Sequence, residues 1–82
     1  MLGHRTAAEK LAAFLIDWAK RCPGDPTVTL AMTRQDIADY LGLTIETVSR
    51  TLSGLQRRAL IELPSARQVR LVDASALGAL NA

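Results

Sequence analysis

Two residue types that often carry chemistry are nearly missing from this sequence, which has one cysteine, Cys22, and one histidine, His4. A single cysteine excludes an internal disulfide framework, and the pair cannot build a Cys/His cluster at metal-ligand spacing. Cys22 stands directly before Pro23, the place of a small residue at a helix end rather than of a reactive thiol. With His4 near a terminus, no partner evident for Cys22 and no glycine-rich phosphate loop, the chain does not read as an enzyme and no cofactor is expected. Aromatic residues are scarce too, one each of Phe, Trp and Tyr, although 49% of the chain is hydrophobic. The core must therefore come from Leu, Ile, Val and Ala, which predicts a thin core of modest stability. There is no signal peptide and no apolar run long enough to cross a bilayer, so the expected location is cytoplasmic, with no membrane partner. Repeats, low-complexity tracts and linkers are absent, and 82 residues suffice for one small domain, taken as 1–82.

Charge is nearly balanced at +2, with a pI near 9.2, and says little by itself. Its distribution says more. The segment from Thr44 to Arg58 carries Arg50, Arg57 and Arg58 against Glu46, whereas Pro26 to Leu43 is slightly acidic. A local basic surplus of this kind suits a nucleic-acid partner.

That surplus falls on the stretch that organises the chain, Thr33 to Arg50, which reads as two helices joined by a tight turn. Thr33 is the expected N-cap of the first, with Asp36 favouring its positive end. Gly42 closes that helix in a left-handed conformation, and Thr44 caps the second, with Leu43 and Val48 spaced as a hydrophobic staple. At roughly 100° per residue, Val48, Leu52 and Leu55 share one side of the second helix, with Ile45 at its edge. Glu46, Ser49, Arg50 and Ser53 share another. Such a polar side could be merely solvated. Following a capped helix and turn, it is instead the projecting side of a helix that fits the major groove.

The remaining segments frame this motif. Thr6-Ala7-Ala8-Glu9 is a capping box, followed by Ala8, Leu11, Ala12, Leu15, Ile16 and Ala19 at helical spacing. Phe14 and Trp18 lie on a flanking face, read as added core contact, and Cys22-Pro23-Gly24 is the expected stop. Thr27 to Leu30 is a short β-prone run. Leu60 to Leu63 and Gln68 to Val72 read as two strands connected by Pro64-Ser65-Ala66-Arg67. Together they predict a wing and a three-stranded sheet, with Arg67 and Arg70 either at phosphates or simply solvated. Asp73 is expected to cap a last short helix carrying Ala76, Leu77 and Leu80, with Asn81-Ala82 fraying. The predicted fold class is mainly α with a small antiparallel β-sheet, a winged helix-turn-helix.

The residues Glu46-Thr47-Val48-Ser49-Arg50, together with Thr33 to Thr44 and Gly3 to Lys10, resemble the C-terminal DNA-binding domain of the Crp/Fnr family of bacterial transcription regulators. Glu46, Ser49 and Arg50 match the Glu-x-x-Ser-Arg pattern of its Fnr/FixK branch, whereas the cyclic-AMP-receptor branch has arginine at the place of Ile45 and glycine at that of Ser49. The resemblance covers essentially the whole chain and implies a twofold-symmetric DNA target with TTGAT-like half-sites. It further implies RNA polymerase contact and homodimerisation in a full-length regulator, whose sensory and dimerisation regions do not fit in this chain. The chain is thus expected to be an isolated domain, a fragment or a truncated form, binding weakly without a second half-site engaged. Ala59 departs from the family, which often has glycine in that turn.

The residue types suit readout. Arg50 can donate two parallel bonds to guanine, and ionised Glu46 can accept from a cytosine or adenine amino group, and can also brace Arg50. Ser49 can approach a thymine or a phosphate; Ile45 fits either the core or a thymine methyl. Thr33, Arg34 and Gln35 open the scaffold helix, whose free N–H groups form a phosphate seat, and Thr44 and Thr47 are further phosphate candidates with capping roles of their own. The alternative is a winged helix that binds protein rather than DNA. An apolar or aromatic patch would be expected on the projecting side in that case.

Overall fold

A computed structural model describes residues 5–21, 24, 27–30 and 32–80. The order is α1 (Ala7–Ala19), β1 (Thr27–Thr29), α2 (Arg34–Leu41), α3 (Ile45–Arg57), β2 (Ile61–Ser65), β3 (Gln68–Leu71) and α4 (Ala74–Ala79). The three strands form one antiparallel sheet in the order β1-β3-β2, so the expected fold class stands.

Each helix begins where its capping residue dictates. Thr6 and Glu9 close the capping box of α1, the Thr6 hydroxyl accepting from Glu9 N–H and the Glu9 carboxylate from Thr6 N–H. Thr33 caps α2, Thr44 caps α3 and Asp73 caps α4, each accepting from an amide three residues on. The first helix ends at Ala19, ahead of the expected stop. Cys22, Pro23, Asp25 and Pro26 lie outside the described residues, as do His4 and the expected fraying at Asn81-Ala82.

The core is aliphatic, as the composition requires. Leu11, Ala12 and Leu15 of α1 meet Val48, Leu52 and Leu55 of α3, and Ile37, Ala38, Val28, Ile61, Val69 and Leu77 complete it. Phe14 is buried with them, so the flanking face of α1 contributes a full core residue. Its ring lies 5.6 Å from that of half-buried Trp18 and 6.0 Å from that of exposed Tyr40. The chain's three aromatic residues thus form one cluster between α1 and α2.

The wing differs from expectation at its tip. Pro64 and Ser65 belong to β2 rather than to the connection, leaving Ala66-Arg67 as the turn. Glu62 pairs with Arg70 and Ser65 with Gln68, so Leu63 and Pro64 together oppose Val69 in a bulge. Proline is tolerated there because β2 is an edge strand and a bulged residue owes no ladder bond. The turn is held from the far side of the sheet, where Leu30 N–H donates to the Arg67 carbonyl at 2.8 Å.

Candidate nucleic-acid interface

Two helix ends place the site. Gly42 takes φ 71°, and Leu43 N–H reaches back to the Ala38 carbonyl at 2.8 Å, which ends α2 and turns the chain into α3. Lys10 of α1 adds a bond that sequence reading missed, its ammonium donating to the Leu41 carbonyl at 3.2 Å. A long-range contact leaves no periodic signal, although a lysine near a helix C-terminus is favourable in general. At the other end, Gln56 accepts Leu63 N–H at 3.0 Å and ties the last turn of α3 to the wing.

Between these ends α3 divides as its periodicity predicts. Val48, Leu52 and Leu55 are each no more than 2% exposed. Glu46 and Arg50 are exposed, while Ser49 and Ser53 are half-buried. Ile45 is 39% exposed, which places it with the outward residues rather than in the core. The expected bracing of Arg50 by Glu46 is not formed: the two are not ion-paired with each other. One-turn pairs on an exposed helix contribute little, and solvation competes with them. Their charged ends stay apart, each able to meet a group of its own.

The other candidates are partly engaged. Thr33 and Asp36 complete a second capping box, so a carboxylate sits at the start of α2. The Asp36 amide is thereby used, while the first amides of the helix, those of Arg34 and Gln35, have no intrahelical partner. The Gln35 side chain is engaged, its Nε2 donating to Asp39 Oδ1 at 3.0 Å. Thr44 and Thr47 bond to each other through their hydroxyls at 2.9 Å. Arg34 turns toward α3, donating from Nη1 to the Ser49 hydroxyl at 3.3 Å, so a phosphate candidate and a base candidate are joined.

In the wing, Arg70 forms an ion pair with Glu62 across the strands, and Arg67 stands exposed at the turn. Arg67 and Arg70 are therefore not equivalent: one is at a free tip, the other is half-covered by a carboxylate. A further cleft brings Arg50, Thr51, Gly54 and Arg58 against the first turn of α1, at Thr6, Ala7 and Ala8. The two guanidinium groups make that cleft locally basic, while the N-terminus of α1 beside it is already satisfied by the Glu9 carboxylate of its capping box. Another groove runs along the sheet from Gln56 to Arg70 and contains none of the α2 and α3 candidates, Arg70 alone of the wing arginines lining it. Among the described residues, no His, Cys, Asp and Glu group could hold a metal, and no helix is long and apolar enough to cross a membrane.

Comparison with known proteins agrees with this fold. The family model of the Crp-like helix-turn-helix domain matches residues 9–80. The nitrogen fixation regulation protein FixK of Azorhizobium caulinodans is 54% identical, over 99% of this chain and 35% of its own length. The transcriptional activatory protein AadR of Rhodopseudomonas palustris is 51% identical, over 100% of this chain and 36% of its own. Among solved structures, FixK2 from Bradyrhizobium japonicum superposes with a TM-score of 0.90 at 43% identity, covering 99% of this chain and 41% of that one. The chain spans little more than a third of the length of these curated relatives.

Proposed function

The chain belongs to the Crp-like helix-turn-helix domain family, of the kind found in FixK- and Fnr-type transcription regulators, and we propose that it binds double-stranded DNA sequence-specifically as a regulator's output domain. One observation carries the reading. Glu46, Ser49 and Arg50 stand together on the outward side of α3, opposite the buried Val48, Leu52 and Leu55. A helix seated on its apolar side presents the other to the major groove.

In this reading Arg50 donates to guanine O6 and N7, and Glu46 accepts from a cytosine or adenine amino group. Ser49 and Ile45 meet the neighbouring base edges, Ile45 suiting a thymine methyl. The half-site is TTGAT-like. Thr33, Arg34, Gln35, Thr44 and Thr47 lie near the backbone and set register through phosphates. The chain acts as one non-catalytic, cofactor-free domain of a cytoplasmic protein, and the longer regulator supplies homodimerisation and contact with RNA polymerase.

The test is substitution of Arg50 by alanine, with affinities measured on matched duplexes and on duplexes altered at the guanine. A loss of about 1–3 kcal/mol on the matched site, with discrimination relaxed at that guanine alone, supports the reading. A uniform loss on all duplexes contradicts the assignment of Arg50.

A further inference from the structure

We infer that Arg34 sets the hydrogen-bonding polarity of Ser49, making Ser49 a determinant of specificity that rejects cytosine; this rests on the DNA-reading function proposed above and deepens it. The two residues come from different helices of the motif, Arg34 opening α2 and Ser49 lying in α3. Arg34 Nη1 donates to Ser49 Oγ at 3.3 Å in a partly buried setting. Its Nε is buried without a hydrogen-bond partner. A guanidinium free to swing into water would hydrate that nitrogen, so packing between the helices holds the group in place.

A guanidinium can only donate, whereas a serine hydroxyl has one hydrogen to give and two lone pairs to receive. With a cation on one lone pair, a second donor approaching the same oxygen is repelled. The hydroxyl hydrogen turns toward an acceptor instead. In the major groove thymine offers O4, guanine O6 and N7, and adenine N7, but cytosine offers only its amino donor. A serine polarised in this way therefore tolerates acceptors and disfavours cytosine. Arg34 is the positioning residue and Ser49 the contact. The Nη2 N–H groups of Arg34, unlike its buried Nε, stay available to a phosphate, so its backbone role and this one coexist.

The experiment measures binding of the chain and of its Arg34→Ala, Arg34→Lys and Ser49→Ala variants to duplexes carrying a TTGAT half-site and every single base-pair change, at one low salt concentration. Circular dichroism establishes that each variant is folded. For the unsubstituted chain, cytosine at one position should be penalised by roughly tenfold, the scale of one mismatched pair. Ser49→Ala should remove that penalty. Arg34→Ala should weaken every complex and also erase most of the cytosine penalty at that position, while Arg34→Lys, still a donor, should keep it. An Arg34→Ala variant that binds every duplex more weakly by the same factor, with the cytosine penalty intact, overturns the inference. Equal binding of all duplexes by the unsubstituted chain overturns the DNA-reading function itself, and is distinguishable because no penalty then exists to lose. A second measurement needs no DNA: the guanidinium resonances of Arg34 should move on Ser49→Ala, and unmoved resonances overturn the contact.

Discussion

Leu60 N–H donates to the carbonyl of Leu55 at 3.1 Å, closing the last turn of α3 around a left-handed alanine. Ala59 takes φ 59° there, the one positive φ at a non-glycine position among the described residues. Gly42 holds the corresponding position at the end of α2, where Leu43 N–H reaches the Ala38 carbonyl by the same spacing. The two helix ends share a hydrogen-bond pattern and differ in the residue asked to adopt it.

Opposite substitutions at the two ends should therefore have opposite signs. Ala59→Gly should stabilise the chain by up to about 1 kcal/mol, since the left-handed strain exceeds the extra entropy of glycine. Gly42→Ala should destabilise by about 1–2 kcal/mol. A Cβ at Gly42 would meet nothing within 4 Å, so this cost is purely conformational. Urea unfolding midpoints check both, and an unchanged midpoint for Ala59→Gly would show the strain to be relieved elsewhere.

Lys10→Met keeps the aliphatic stem and removes the donor to the Leu41 carbonyl. The expected loss is about 0.5–1.5 kcal/mol. Thermal melts of the two proteins in parallel test it, and equal melting temperatures would show that water replaces the ammonium without cost.

Most of the frame was legible in the sequence because its signals are local. Thr6, Thr33, Thr44 and Asp73 each announce a helix start, Gly42 a stop, and the spacing of Val48, Leu52 and Leu55 the buried side of α3. What escaped depends on contacts between elements. The Lys10 bond to α2, the Gln56 bond to β2 and the Arg34 bond to Ser49 join residues that no periodic pattern links. The bulge at Leu63-Pro64 escaped for a different reason: proline reads as a turn signal unless the strand is known to be at a sheet edge.

The wing arginines should separate cleanly in salt titrations. Arg67→Ala should reduce the salt dependence of DNA binding by about one unit of slope, as expected for one lost phosphate contact. Arg70→Ala should leave the slope nearly unchanged, because Arg70 is already neutralised by Glu62. Equal slopes for the two variants would show that the Glu62 pair opens on DNA or that the wing stands clear of it.

The most direct measurement is binding of this domain to a duplex carrying TTGAT half-sites and to a scrambled duplex, each at two salt concentrations. Tighter binding to the TTGAT duplex, weakening on both as salt rises, is the predicted result. Equal affinity for the two duplexes contradicts the proposed code. Absence of salt-sensitive binding, even with the domain fused to a dimerising coiled coil, contradicts DNA binding itself.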